Sequence, residues 1–334
     1  MITQTNHRET FRFVPSTSTP VSPERVAELL KAEWELFTKQ TGKSAEESRR
    51  ALKSLPMGVT SSFQHWDPYP ISIVSAKGAW MTDVDGRQLL DLSMGFGAML
   101  AGHLNPVVVD EVKKALESGT LFVTPSPIST DAAERICRRF GIEQVRFTNS
   151  GTESTMYAVR TARAATDKNA IVKIEGGYHG SYDPFVVSSK PPIDKIGDAE
   201  DPIAYTPEGI VPGEIYVVPY NNADALERTF KKHGSSIACF ILEPVLENIG
   251  IVLPDEGYLE RVRELCDEYN VVLIFDEVKT GLTAGHQGAA QRLGVTPDLI
   301  TLAKSIGGGL TLAAFGGKKK YMDFVTNGKM AHFG

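Results

Sequence analysis

Residues 258–309 read YLERVRELCDEYNVVLIFDEVKTGLTAGHQGAAQRLGVTPDLITLAKSIGGG. A helix-like stretch, 258–269, runs into the apolar run 271–275, and a second apolar run, 299–302, follows further on. Strand-length apolar runs alternating with helix-length stretches mark βαβ units, whose strands lie parallel and are covered by helices on both faces. The pattern extends toward the N-terminus, with helices expected at 107–118, 130–140, 152–165 and 223–232 and strands at 144–148, 170–174, 215–218 and 237–242. The fold class is therefore α/β, with a mainly parallel central sheet. Before it the pattern changes. Residues 1–20 are polar and read as a mobile arm, and Ser22-Pro23 opens a helix whose apolar stripe (Val26, Leu29, Leu30, Trp34, Phe37) is expected to dock on a larger body. Ser44-x-x-Glu47 has the form of a capping box for a second helix, and 71–92 reads as a hairpin turning at Asp85-Gly86. The expected organisation is an arm (1–20), an N-terminal helical and hairpin segment (21–100) and a large domain (101–334).

The 334 residues carry Lys+Arg 35 against Asp+Glu 41, a net charge of −6, so no basic field exists to gather nucleic acid. The apolar runs fall well short of the roughly 18–20 residues that span a bilayer. The first thirteen residues, MITQTNHRETFRF, lack the apolar core of a secretory leader. Three scattered cysteines suit neither a disulfide framework nor a metal site, and the expected compartment is the cytoplasm. The charge run Lys318-Lys319-Lys320 reads as a solvated helix end or turn.

Ligands of open α/β sheets bind beyond the carboxyl ends of the strands, so the residues just after each strand are the candidates for chemistry. After 144–148 come Ser150, Gly151 and Thr152 at a helix start, where unpaired amides and the helix dipole can cradle a phosphate. Alone, this segment is equally an ordinary N-cap with a glycine turn. After 271–275 comes Asp276, a carboxylate that burial makes costly unless it meets a cation or a strong donor; its plainer reading is a helix N-cap. After 299–302 comes Lys304 beside Gly307-Gly308-Gly309. A desolvated lysine there becomes an amine nucleophile toward a carbonyl. After 170–174 come Tyr178 and His179 between glycines; each alone reads more simply as a packed aromatic and a structural histidine. Together, a phosphate cradle, a ring stacker, a strand-end aspartate and a strand-end lysine match what pyridoxal 5'-phosphate requires.

The stretches GAWMTDVDGRQLLD (78–91), Gly102-His103, VRFTNSGTE (145–153), GGYHG (176–180), LEP (242–244), IFDEVKTG (274–281) and TPDLITLAKSIGGG (296–309) resemble the class III, fold-type I pyridoxal-phosphate aminotransferases. The resemblance is greatest to their glutamate-1-semialdehyde aminomutase-like branch. It runs from about residue 55 to the chain end in unbroken order, with Asp276 and Lys304 separated by 28 residues (304 − 276). It implies a Schiff base on Lys304, which also moves the substrate proton, and Asp276 on the pyridine nitrogen. Ser150, Gly151 and Thr152 would take the phosphate, Tyr178 and Val278 the two ring faces, and Glu243 and His179 polar positions near the cofactor.

The resemblance also implies substrate-pocket positions at Phe96 and at Gln64. The aminomutases carry a carboxylate-gripping arginine where Gln64 stands, and β-amino-acid aminotransferases carry one where Ser62 stands. The expected activity is that of a transaminase with a small-molecule amino donor and acceptor, working as a homodimer without nucleic acid, membrane or metal. The alternatives are an aminomutase, racemase or decarboxylase on the same cofactor. The insertion 191–212 is expected to help shape the pocket. The resemblance further implies a C-terminal small domain of roughly 100 residues, expected to be absent from a chain that ends at Gly334. A truncated, non-catalytic fragment is the alternative of another class.

Overall fold

Ala170, Val172 and Ile174 of one strand point into one apolar core while Ile171 points into another, so the sheet they belong to is buried on both faces. The computed structural model describes residues 21–197, 203–325 and 330. The arm 1–20, residues 198–202 of the insertion and the chain end 331–334 lie outside the described residues. The chain divides into two compact units, one of residues up to Ala76 with Trp80–Leu90, the other of Lys77–Ala79 with residues from Asp91 onward.

The first unit holds helices α1 (Pro23–Gln40) and α2 (Gly42–Ala51) and a three-stranded sheet in the order β1 (Ile73–Lys77), β2 (Trp80–Asp83), β3 (Gln88–Leu90). Ser22 caps α1 by accepting the Arg25 amide hydrogen at 3.2 Å. One expectation needs correction here. The capping box at Ser44 is not formed: α2 starts two residues earlier, and the Ser44 hydroxyl instead donates to Asp85 in the β2–β3 turn at 2.7 Å. In this single chain the stripe of α1 is exposed at Val26, Leu29, Leu30 and Trp34, while Phe37 meets Tyr69 with ring centroids 5.3 Å apart.

The second unit runs through α3 (Pro106–Ser118), α4 (Pro127–Phe140), β4 (Gln144–Thr148), α5 (Gly151–Thr166), β5 (Ala170–Ile174), α6 (Asp183–Val186), β6 (Ile215–Val218), α7 (Ala223–His233), β7 (Ile237–Leu242) and α8 (Tyr258–Glu268). It continues through β8 (Val272–Asp276), α9 (Thr280–Thr283), α10 (Gly288–Leu293), β9 (Leu299–Leu302), β10 (Ala313–Gly317) and α11 (Lys319–Met322). Among the described residues the strands form a seven-stranded sheet in the order β4-β10-β9-β8-β7-β5-β6. Neighbours β6, β5, β7, β8 and β9 pair parallel, while β10 is antiparallel to both β4 and β9. Helix α5 contributes Ala158, Val159 and Ala162 to the core on one face. On the other, α7 and α8 contribute Leu226, Phe230, Leu259, Val262 and Leu265.

Strand β10 was not expected from the sequence. Its AAFGG composition lacks branched residues, because a Cβ at Gly316 would overlap the Gln144 carbonyl of β4. The lysine run also departs from its expected role as a merely solvated end. The Lys318 ammonium reaches the buried Asp298 carboxylate at 2.6 Å, which Arg263 also holds at 3.0 Å.

Candidate active site

The carboxyl ends of β4, β5, β7, β8 and β9 open onto one cleft of about 240 Å³. The structure brings Ser150, Gly151, Thr152, Tyr178, His179, Glu243, Asp276, Val278 and Lys304 together around it. They sit there because a parallel sheet puts the loop after every strand on the same edge.

At the β4–α5 junction Ser150 is the N-cap: its Oγ accepts the Glu153 amide hydrogen at 3.2 Å, and Glu153 in turn accepts the Asn149 amide hydrogen at 2.8 Å. The remaining first-turn amides have no intrahelical acceptor, and the Ser150 hydroxyl keeps its own hydrogen to donate. A Cβ at Gly151 would come within 3.3 Å of both Val278 methyl groups, so glycine there lets Val278 lie on the turn. The loop after β5 packs onto the same turn. Gly180, at φ +99°, has no room for a Cβ because Thr152 Oγ1 stands in its place, and the Ser181 amide donates to that hydroxyl at 3.2 Å. Thr155 ties the loop down by donating to the His179 carbonyl at 2.7 Å.

Asp276 ends β8 only 4% exposed. One carboxylate oxygen lies 2.7 Å from His179 Nδ1; the other accepts from Thr301 Oγ1 at 3.0 Å and from the Val278 amide at 3.1 Å. The other ring nitrogen, His179 Nε2, is buried with no partner among the described residues. Glu243, at the end of β7, accepts the amides of Tyr178 at 3.0 Å and Glu247 at 3.2 Å, and burial pushes its carboxyl pKa up. Lys304 sits at φ +49°. Burial lowers its pKa, Asp276 opposes that, and the neighbouring Lys279 lowers it further.

The two substrate-pocket candidates belong to different units. Gln64 is in the first, where its Oε1 accepts from Thr60 at 2.7 Å and it lines a cleft with Phe37, Trp66 and Tyr69. Phe96 is exposed, at φ +54°, and is not among the residues lining the 240 Å³ cleft. Sequence reasoning passed over Thr301, Thr155 and Lys279. Thr301 was legible in principle, as the one hydroxyl in the apolar run of β9, and the β8–β9 register places it opposite Asp276. The other two became significant only through contacts made in the fold.

These residues fit pyridoxal phosphate. Asp276 is a buried carboxylate with only three partners, an imidazole nitrogen, a hydroxyl and an amide, so it retains lone-pair capacity for a further N–H donor. Across the same cleft lie the amide turn of a sixteen-residue helix, suited to a phosphate, and an amine whose pKa burial has lowered.

The profile of the class-III aminotransferases matches residues 62–333. The glutamate-1-semialdehyde 2,1-aminomutase of Methanocorpusculum labreanum is 41% identical over 285 residues, covering 85% of this chain and 68% of that protein. The chain spans about two thirds of the length of the curated relatives it matches. Among solved structures, an omega-transaminase from Sphaerobacter thermophilus aligns with a TM-score of 0.83 at 34% identity, covering 87% of this chain and 68% of that one. A glutamate-1-semialdehyde aminomutase variant from Pseudomonas aeruginosa in complex with PMP aligns with a TM-score of 0.84 at 28% identity, covering 95% and 69%.

Proposed function

The chain belongs to the class-III aminotransferase family, and on that premise we propose that it binds pyridoxal phosphate and moves an amino group between an amino donor and an oxo acid or aldehyde. The observation that carries this reading is the convergence of Lys304, the Asp276–His179 pair and the first turn of α5 on one cleft. When bound, pyridoxal phosphate supplies a carbonyl that captures amines and a ring that accepts the electrons of a bond broken beside the nitrogen.

The chain's own residues do the rest. Ser150, Gly151 and Thr152 bind the phosphate through first-turn amides and hydroxyls. Asp276 would hold a proton on the ring nitrogen, and His179 and Thr301 orient its carboxylate. Tyr178 and Val278 would flank the ring, and Glu243 fixes Tyr178 by taking its amide hydrogen. Lys304 would hold the cofactor through Nζ, and the same amine would carry a proton to and from the substrate carbon. The same reading includes a homodimer, to be checked by sedimentation; a monomer at micromolar concentration would remove that part.

Borohydride reduction of the pyridoxal-phosphate-loaded chain followed by peptide mapping tests the site. The expected label is on Lys304 and is lost in Lys304→Ala. A label on Lys279, which lines the same cleft, overturns the assignment. A second reading, aminomutase chemistry, is favoured by the names of the relatives at 41–42% identity. Release of about one pyruvate per site from alanine, before any acceptor is added, supports transfer. Isomerisation of glutamate-1-semialdehyde without oxo-acid release supports the aminomutase.

A further inference from the structure

Lys173 is the one charged side chain in the apolar run of β5, and it is fully buried. A charge in such surroundings is costly unless polar groups answer it. Among the described residues its ammonium makes one hydrogen bond, to the Val187 carbonyl at 2.6 Å, and no direct ion pair. Both anchors of the loop that carries Tyr178 and His179 lie beside this group. The first is the Gly176 amide, which donates to the carbonyl of Ser188, the residue after Val187, at 2.7 Å. The second is the Tyr178 amide, which donates to Glu243 at 3.0 Å. Lys173 stands opposite Ile241 in the β5–β7 register, so Glu243, two residues further on, leaves the sheet on the same face. Burial works against the ionised form of Lys173; Glu243 first and Glu175 second work for it.

We propose that Lys173 is a positioning residue of the candidate site: its side chain fixes the Val187–Ser188 segment on which Gly176 hangs, and its charge is the counterpart of the Glu243 carboxylate on which Tyr178 hangs. One buried amine thus holds both ends of a short loop without touching the cleft itself. Its service to a cofactor rests on the reading above, in which Tyr178 faces the ring and His179 orients Asp276.

The test uses the full chain and two readouts that need no turnover. Residue-resolved hydrogen exchange follows the loop, and carbon-13 NMR of glutamate-labelled protein follows the Glu243 carboxyl, its signal assigned by its loss in Glu243→Gln. Lys173→Met is expected to speed exchange at Gly176 and Tyr178 about fivefold or more, while amides inside β7 and β8 stay within about twofold. It is also expected to raise the Glu243 titration midpoint by about one pH unit, because a favourable positive neighbour is gone. The other titratable groups facing Glu243 are His179, Asp276, Lys304 and Tyr220, which both proteins share, so the difference reports Lys173. In a Glu243→Gln background Lys173→Met is expected to leave Tyr178 exchange within about twofold and still to loosen Gly176. Lys173→Gln, also uncharged, serves for the titration should the methionine variant not fold. An unmoved Glu243 midpoint overturns the inference, and so does faster exchange spread evenly through the sheet, which would make Lys173 a packing residue only. Failure of the wild type to take up pyridoxal phosphate on Lys304 overturns the functional reading, a result that neither readout on the loop can produce.

Discussion

Lys304 is pulled in opposite directions by its neighbours: burial and Lys279 favour the neutral amine, and Asp276 favours the ammonium. In the cofactor-free chain the pH at which Lys304 becomes reactive toward an amine-directed reagent therefore lies below that of an ordinary lysine. Removing the positive neighbour with Lys279→Met is expected to raise that midpoint. Removing the negative one with Asp276→Asn is expected to lower it. Mass-spectrometric labelling against pH reads both signs, and a shift in the reverse direction for either variant would refute this electrostatic account. Asp276→Asn is also expected to leave cofactor binding measurable but to cost about a hundredfold or more in turnover, because an amide does not stabilise the protonated ring nitrogen. At this scale the sequence already spoke clearly for Asp276 and Lys304: a carboxylate and an amine directly after apolar strands are expensive to place without a function. It said little about Lys279, since a lysine after a strand is ordinary until the cleft around it is known.

Two elements hold the loop after β8 in place. Glu277, buried, accepts the amides of Ala289 at 2.6 Å and Ala290 at 3.0 Å and the Thr280 hydroxyl at 3.1 Å, which joins the segment carrying Asp276 and Val278 to α10. Gly288, at φ +76°, makes this possible, because a Cβ there would overlap the Glu277 carboxylate. Gly288→Ala combines a left-handed backbone with displacement of a buried carboxylate. It is expected to cost about 2 kcal/mol or more in urea unfolding; a loss below about 0.5 kcal/mol, the range of neutral surface changes, would show that the carboxylate is not anchored there. The strands and most helices were legible from periodicity, since two-sided burial leaves continuous apolar runs such as Ile237–Leu242. Strand β10 was not, because close packing against β4 selects glycine and alanine, residues that carry no strand signal of their own.

For the molecule as a whole, Lys173 on β5 is a liability that no local pattern announced. Its side chain is fully buried, the ammonium donates to the Val187 carbonyl at 2.6 Å, and burial brings its pKa down to about 7, opposed by Glu243 and Glu175. The unfolded chain, with an ordinary lysine near about 10.4, binds the proton first as pH falls, so this group removes stability progressively from about pH 10 to about pH 7. Lys173→Met is expected to gain on wild type over that window, whatever its stability at the alkaline end. Unfolding free energies at both pH values test this, and a difference that does not grow on acidification would contradict it.

The described residues include no helix long and apolar enough to cross a membrane. The sequence by itself determined the alternation of strands and helices, the carboxyl-edge position of the candidate site, and that Asp276 and Lys304 are its candidates. Those follow from local rules: the price of burying a charge and the periodicity of buried faces. Only the tertiary structure decided which oxygen of Asp276 meets His179 and which meets Thr301, that Gly180 lies on the first turn of α5, and that Lys279 shares a cleft with Lys304. These depend on strand register and on loops distant in sequence packing in direct contact with one another, information that no single stretch of the chain contains.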